Sequence, residues 1–180
     1  GQQRLIRTMS RKGFRFVGTV TSTGKPAKHG NASAAAPPQQ EVHFCTASDG
    51  VRIAYAVAGQ GTPLVKAANW LNHLEYDWQS PIWSELLHEL AASHLLVRYD
   101  ERGNGLSDWD VNDISFEAFV RDLESVVAAA GLDRFALFGM SQGCAVSIVY
   151  AIRHPERVSH LVLYGGFARG RARRDPEHAR

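Results

Sequence analysis

One stretch constrains this chain more than any other: FALFGMSQGCAVSIVYAIRHPE, from Phe135 to Glu156. An apolar run enters a Gly-x-Ser-x-Gly made of Gly139, Ser141 and Gly143, and an apolar run at helical spacing leaves it. A short buried strand must therefore turn sharply into an amphipathic helix at the serine. Such a turn is strained, and the flanking glycines leave room where side chains would meet neighbouring backbone. It lifts the Ser141 hydroxyl above the sheet, while the following helix aims its positive amino end at that hydroxyl. An inert strand-to-helix turn could carry the same serine. The apolar flanks on both sides favour the reading in which Ser141 is an exposed nucleophile.

The pattern around this stretch alternates strand and helix. Val42–Ala47 and Val51–Gly59 read as an antiparallel hairpin about the turn Asp49-Gly50. Thr62–Ala68 reads as a buried strand and Ser80–Ser93 as a helix with Pro81 in its first turn. His94–Asp100 is a strand, Ser115–Gly131 a helix capped by Ser115 and ended by Gly131, and Val158–Gly166 a last strand. Helices of this length between strands predict an α/β fold with a mostly parallel sheet and flanking helices. No apolar stretch reaches the roughly 20 residues of a membrane-spanning helix, so no membrane partner is expected.

Charge divides the chain further. Residues 1–40 hold seven Lys or Arg and no acid, residues 41–168 carry a net charge of −8, and residues 169–180 are Arg-rich with net +3. Residues 21–41, rich in Ser, Gly, Pro, Ala and Gln, read as a flexible linker. Before it, Leu5–Met9 and Phe14–Val20 flank a basic turn and predict a β-hairpin with Gly13 in the left-handed position. The expected organisation is a hairpin over 1–20, a linker over 21–41, an α/β core over 42–168 and an Arg-rich tail over 169–180. Cys45 and Cys144 match no metal spacing and read as buried reduced thiols of a cytoplasmic protein. No metal site is expected.

Residues 41–168 resemble the first two-thirds of an α/β-hydrolase domain. The resemblance rests on four features in order: the hairpin DG…AYAVAG, the strand PLV, the loop YDERGNGLSD and the turn FGMSQG. It implies an incomplete α/β-hydrolase sheet, a serine nucleophile at Ser141, and no cofactor. The loop Asp100–Ser107 resembles the family's Asp-x-Arg-Gly-x-Gly-x-Ser segment, which gives Asp100, Arg102, Gly103 and Gly105 a structural role beneath the active site. The family's His-Gly after the third strand is replaced by Ala68 and Asn69, followed by Trp70. A backbone donor needs no particular side chain, so the amides of Trp70 and Gln142 remain the expected oxyanion hole. Asn69 is the residue of that loop expected to tolerate a left-handed conformation.

In this family the acid and the histidine follow the nucleophile. Here His154 stands at the far end of the helix after Ser141, His160 enters the last strand, and His178 and Asp175 lie in the Arg-rich tail. His73, near the proposed oxyanion hole, is the nearest imidazole but holds no triad position of the family. The resemblance therefore implies that the acid and the base lie beyond this chain, which reads as a piece of a longer protein, and that this piece alone is inactive.

RLIRTMSRKGFRFVG resembles the closing wing of winged-helix DNA-binding domains of the response-regulator type, over about seventeen residues. That resemblance implies phosphate contacts from Arg7, Arg11, Lys12 and Arg15, without base reading. Two functions follow for the whole protein. One is a serine hydrolase acting on a small ester or acyl compound, fused to a DNA-binding segment. The other is a hydrolase-like domain that senses a ligand for a winged-helix transcriptional regulator.

Overall fold

The computed structural model describes residues 6–9, 13–16 and 38–167. The chain divides into two units, Gly1–Ala36 and Pro37–Arg180. In the first, β1 (Ile6–Met9) pairs antiparallel with β2 (Gly13–Phe16), with Arg7 opposite Arg15. The expected hairpin is present. Gly13 stands opposite Met9 as the first residue of β2, so it belongs to the ladder rather than to the turn. Arg11 and Lys12, most of the linker and the tail 169–180 lie outside the described residues.

The second unit is a six-stranded sheet in the order β3-β4-β6-β5-β7-β8. Its strands are β3 (Gln40–Thr46), β4 (Arg52–Ala58), β5 (Thr62–Lys66), β6 (His94–Tyr99), β7 (Phe135–Met140) and β8 (Val158–Tyr164). The hairpin β3–β4 joins β6 antiparallel, and β6, β5, β7 and β8 run parallel. The first strand begins at Gln40, inside the expected linker. Gln40 and Glu41 pair with Ala58 and Val57 of β4, which extends the strand two residues, and Gln40 Nε2 also donates to the Leu74 carbonyl at 3.2 Å.

Period-two alternation gives the sheet two apolar faces. Val65, Val97 and Leu137 pack with Val120, Leu123, Val126 and Val127 of α3 (Phe116–Ala129) and with Val146 and Tyr150 of α4 (Gln142–Arg153). Leu64 and Leu96 point the other way, against Leu87 and Ala91 of α2 (Ser84–Ser93). Each fully buried aliphatic side chain in such a layer contributes about 1.5–3 kcal/mol. As expected, α3 is capped by Ser115, whose Oγ accepts from the Ala118 amide at 3.2 Å, and Gly131 at φ 64° follows its end.

Two local expectations are corrected. A six-residue helix, α1 (Leu74–Gln79), precedes α2 and is capped by His73, whose Nδ1 accepts from the Glu75 and Tyr76 amides. It is too short for periodicity to reveal, and His is an uncommon cap. Ser80 closes this helix by donating from its N–H to the Asp77 carbonyl, so the next one starts at Ser84 instead of at Ser80. At the other edge of the sheet β8 pairs only with β7 among the described residues, and Leu161, Val162, Leu163 and Tyr164 are exposed.

Candidate active site

Ser141 sits between β7 and α4 at φ 50° and ψ −117°, with its side chain exposed. Among the described residues only Leu71 shares a positive φ without being glycine. Tertiary contacts hold the strained turn. The Ser141 amide donates to the Tyr164 carbonyl at 3.0 Å, and the Cys144 amide donates back to the Ser141 carbonyl at 3.1 Å. Both flanking glycines are required. A Cβ on Gly139 would stand 2.7 Å from Ser147 Oγ, and one on Gly143 would stand 2.6 Å from the Ala68 carbonyl oxygen. Cys144 is buried behind this turn, whereas Cys45 is only half-buried, which corrects its expected burial.

The Gly143–Ala68 approach seats the loop after β5 beside the serine turn. Trp70 lies in that loop and is 70% exposed. Leu71, at φ 60°, takes the left-handed position that Asn69 was expected to take. Asn69 instead accepts from Lys66 Nζ through Oδ1 at 2.6 Å, so a side-chain bond anchors the residue.

The loop Asp100–Ser107 is built around two buried side chains. Asp100 accepts from the Leu106 amide at 2.8 Å and from Asn72 Nδ2 at 2.9 Å. Gly105, at φ 54°, closes over this carboxylate, and a Cβ there would overlap it. Gly103 is also left-handed, at φ 77°. Arg102 forks onto Asp122, Nε to Oδ2 at 2.8 Å and Nη2 to Oδ1 at 2.6 Å, and donates from Nη1 to Asp49 Oδ2 at 2.7 Å. That guanidinium holds the Asp49 carboxyl down at about 2. Arg102 thus locks the hairpin turn, the loop and α3 together.

Glu101, between these two, escaped the sequence reading. It is 4% exposed, and its Oε1 accepts from Gln142 Nε2 at 2.6 Å. Burial pushes its carboxyl up to about 7, against the Gln142 hydrogen bond. Lys66 escaped as well, although a single charge within the apolar run PLVKAA was its signal. Burial, with Arg98 beside it, lowers its ammonium to about 8.

The histidines weighed as bases and lying among the described residues stand elsewhere. His73 caps α1, His154 Nε2 lies 2.9 Å from Glu124 Oε1, and His160 is exposed on β8. His178 and Asp175 lie outside the described residues. Among the described residues no imidazole is hydrogen-bonded to Ser141, and no cluster of His, Cys, Asp or Glu could hold a metal ion.

Known proteins are similar to this chain in sequence and fold. RutD of Azorhizobium caulinodans, which bears the name carbamate hydrolase, is 30% identical over 115 residues, covering 64% of this chain and 41% of that protein. The esterase RhEst1 from a Rhodococcus species superposes with TM-score 0.60 at 30% identity, over 70% of this chain and 46% of that one. A hydrolase from Pseudomonas aeruginosa superposes with TM-score 0.63 at 27% identity, over 77% and 51%. The chain therefore spans about half or less of the length of the relatives it matches. The family model described as the alpha/beta hydrolase fold matches residues 71–178, across the Arg102 loop, the Ser141 turn and the strands beneath them, and this chain belongs to that family.

Proposed function

We propose that the protein carrying this chain is a serine hydrolase that transfers an acyl group from a small ester or related acyl compound to water. The observation that carries this reading is Ser141, exposed at φ 50° between β7 and α4 and framed by Gly139 and Gly143. Ser141 Oγ attacks the substrate carbonyl, and the Trp70 and Gln142 amides receive the oxyanion. A histidine and an acid from sequence outside this chain activate the serine, since no described imidazole is hydrogen-bonded to Ser141 and the matched parts cover only 41% and 51% of two relatives. The chemistry calls for no cofactor.

The basic segment supports a second element of the proposal. Seven Lys or Arg without an acid in residues 1–40, with a β1–β2 hairpin among them, fit a winged-helix remnant touching DNA phosphates through Arg7, Arg11, Lys12 and Arg15. Such a fusion also fits a ligand-sensing domain in a transcriptional regulator. The free thiols of Cys45 and Cys144 fit the cytoplasm, where either protein would work.

Hydrolysis of nitrophenyl acetate by the full-length protein tests the first reading. Ser141→Ala should lower kcat by at least about a thousandfold while leaving the fold intact. Turnover unchanged by that substitution would overturn the assignment of the nucleophile. Tight binding of an acyl compound without turnover would favour the sensor.

A further inference from the structure

Lys66 and Arg98 face each other across two parallel strands. They are register partners on β5 and β6, and both are buried, at 7% and 5% exposure. Like charges directly opposite in a sheet repel, and burial adds a desolvation penalty for each. Yet among the described residues neither reaches a carboxylate at ion-pair distance. Lys66 Nζ donates to Asn69 Oδ1 at 2.6 Å. Arg98 Nη2 donates to Gln40 Oε1 at 2.8 Å and to the Leu74 carbonyl at 3.0 Å, and its guanidinium lies 5.2 Å from the centre of the Trp78 ring. Every one of these partners is neutral.

The two cations line a cavity of about 60 Å³, with Asn69, Trp70, Asn72 and Asp77 among its other walls. A single water needs ~10–15 Å³, so the space admits several waters or one carboxylate head. Asp77, the acidic member of the wall, already accepts from the His73 amide at 3.2 Å. Asp100 accepts from Asn72 and the Leu106 amide. Two residues beyond Lys66, the Ala68 carbonyl abuts Gly143 of the serine turn. The cavity therefore adjoins the loop expected to hold the oxyanion.

We propose that Lys66 and Arg98 form a subsite for a small oxyanion, a carboxylate carried by the acyl compound that Ser141 attacks. The word substrate rests on the hydrolase reading; the binding itself does not. An anion between the cations adds the ion-pair contact that neither makes among the described residues, where Asp77 and Asp100 act only from a longer range. It also gives Lys66 a reason to stand in an otherwise apolar strand.

Full-length protein carrying Ser141→Ala is titrated with succinate, and with succinamide as the neutral control, by calorimetry and by quenching of Trp70 in the cavity wall. Succinate should bind and succinamide should not. Lys66→Met and Arg98→Met should each weaken succinate by about tenfold or more. Binding should fall as pH rises past about 8, where Lys66, its charge disfavoured by burial and by Arg98 and favoured by Asp77 and Asp100, loses its proton. Where Lys66→Met fails to fold, a Lys66 pKa in the wild-type protein that rises on adding succinate, followed by NMR of the lysine Cε, serves in its place. Equal binding of succinamide, succinate affinity unchanged in both variants, an unmoved Lys66 pKa, or no binding where a ~1 mM site would be saturated overturns the subsite. If succinate binds but the Ser141 protein hydrolyses no ester, the hydrolase reading fails and the subsite stands. If esters are hydrolysed without succinate binding, the subsite alone fails.

Discussion

Glu101 Oε1 accepts a hydrogen bond from Gln142 Nε2 at 2.6 Å, across 41 residues of sequence. The bond ties the loop after β6 to the first residue of α4, whose amide is the proposed oxyanion donor. Asn72 extends the link, its Oδ1 accepting from the Glu101 amide at 3.4 Å and its Nδ2 donating to the Tyr99 carbonyl at 2.7 Å. The loops after β5 and β6 and the start of α4 beside Ser141 are thus joined by polar side chains.

This carboxyl should make stability depend on pH. Burial raises its pKa from 4.5 to about 7, so over that window the folded protein holds a proton that the unfolded chain releases. The contribution is fully present below 4.5 and is lost as pH rises to about 7. At about 1.4 kcal/mol per pKa unit, the loss is on the order of 3 kcal/mol. Glu101→Gln keeps an acceptor and cannot titrate, so that part of the pH dependence should vanish. Urea unfolding of both proteins across the window measures it. An identical pH dependence in the variant would contradict the assignment.

Arg102→Leu should destabilise the fold by about 3–5 kcal/mol, because it strands the buried Asp122 carboxylate without its fork. The loss should appear as a lower urea midpoint at neutral pH. Removing Asp122 together with Arg102, as Asp122→Leu in the double variant, should recover part of it, because no unpaired charge then stays buried. A single variant as stable as the parent would show that the pair is dispensable.

Gly143→Ala should damage activity more than its size suggests. The added methyl would stand 2.6 Å from the Ala68 oxygen and 3.4 Å from the Ala67 oxygen, so the loop carrying Trp70 must retreat. A stability loss of about 1–3 kcal/mol is expected from the overpacking. Ester hydrolysis by the full-length variant should fall in kcat, with KM less affected. Parental kinetics would remove Trp70 from the oxyanion hole.

The basic segment should bind duplex DNA weakly, with steep salt dependence and no preference of sequence. Neutralising Arg7, Arg11, Lys12 and Arg15 together should remove most of that binding, while substitutions in the acidic core should not. Titration against two unrelated duplexes at low and moderate salt decides. A marked preference for one duplex, or indifference to salt, would overturn the phosphate-contact assignment.

The sequence by itself determined the periodic and the local features. Apolar runs set β5 and β7, the hairpin about Asp49-Gly50 set β4, helical spacing with Ser115 and Gly131 bounded α3, and Gly139, Ser141 and Gly143 marked the strained turn. These depend on neighbours along the chain, which a sequence displays directly. Tertiary structure alone decided which distant residues meet. Sheet order sets Lys66 beside Arg98, loop closure brings Glu101 to Gln142, and Arg102 reaches Asp122 and Asp49 over 20 and 53 residues. The cap of α1 was hidden because His73 acts there through a ring nitrogen, a local bond with little compositional signal. Strand and turn propensities act over a few residues, whereas partner choice for a buried charge is fixed only when the whole sheet closes around it.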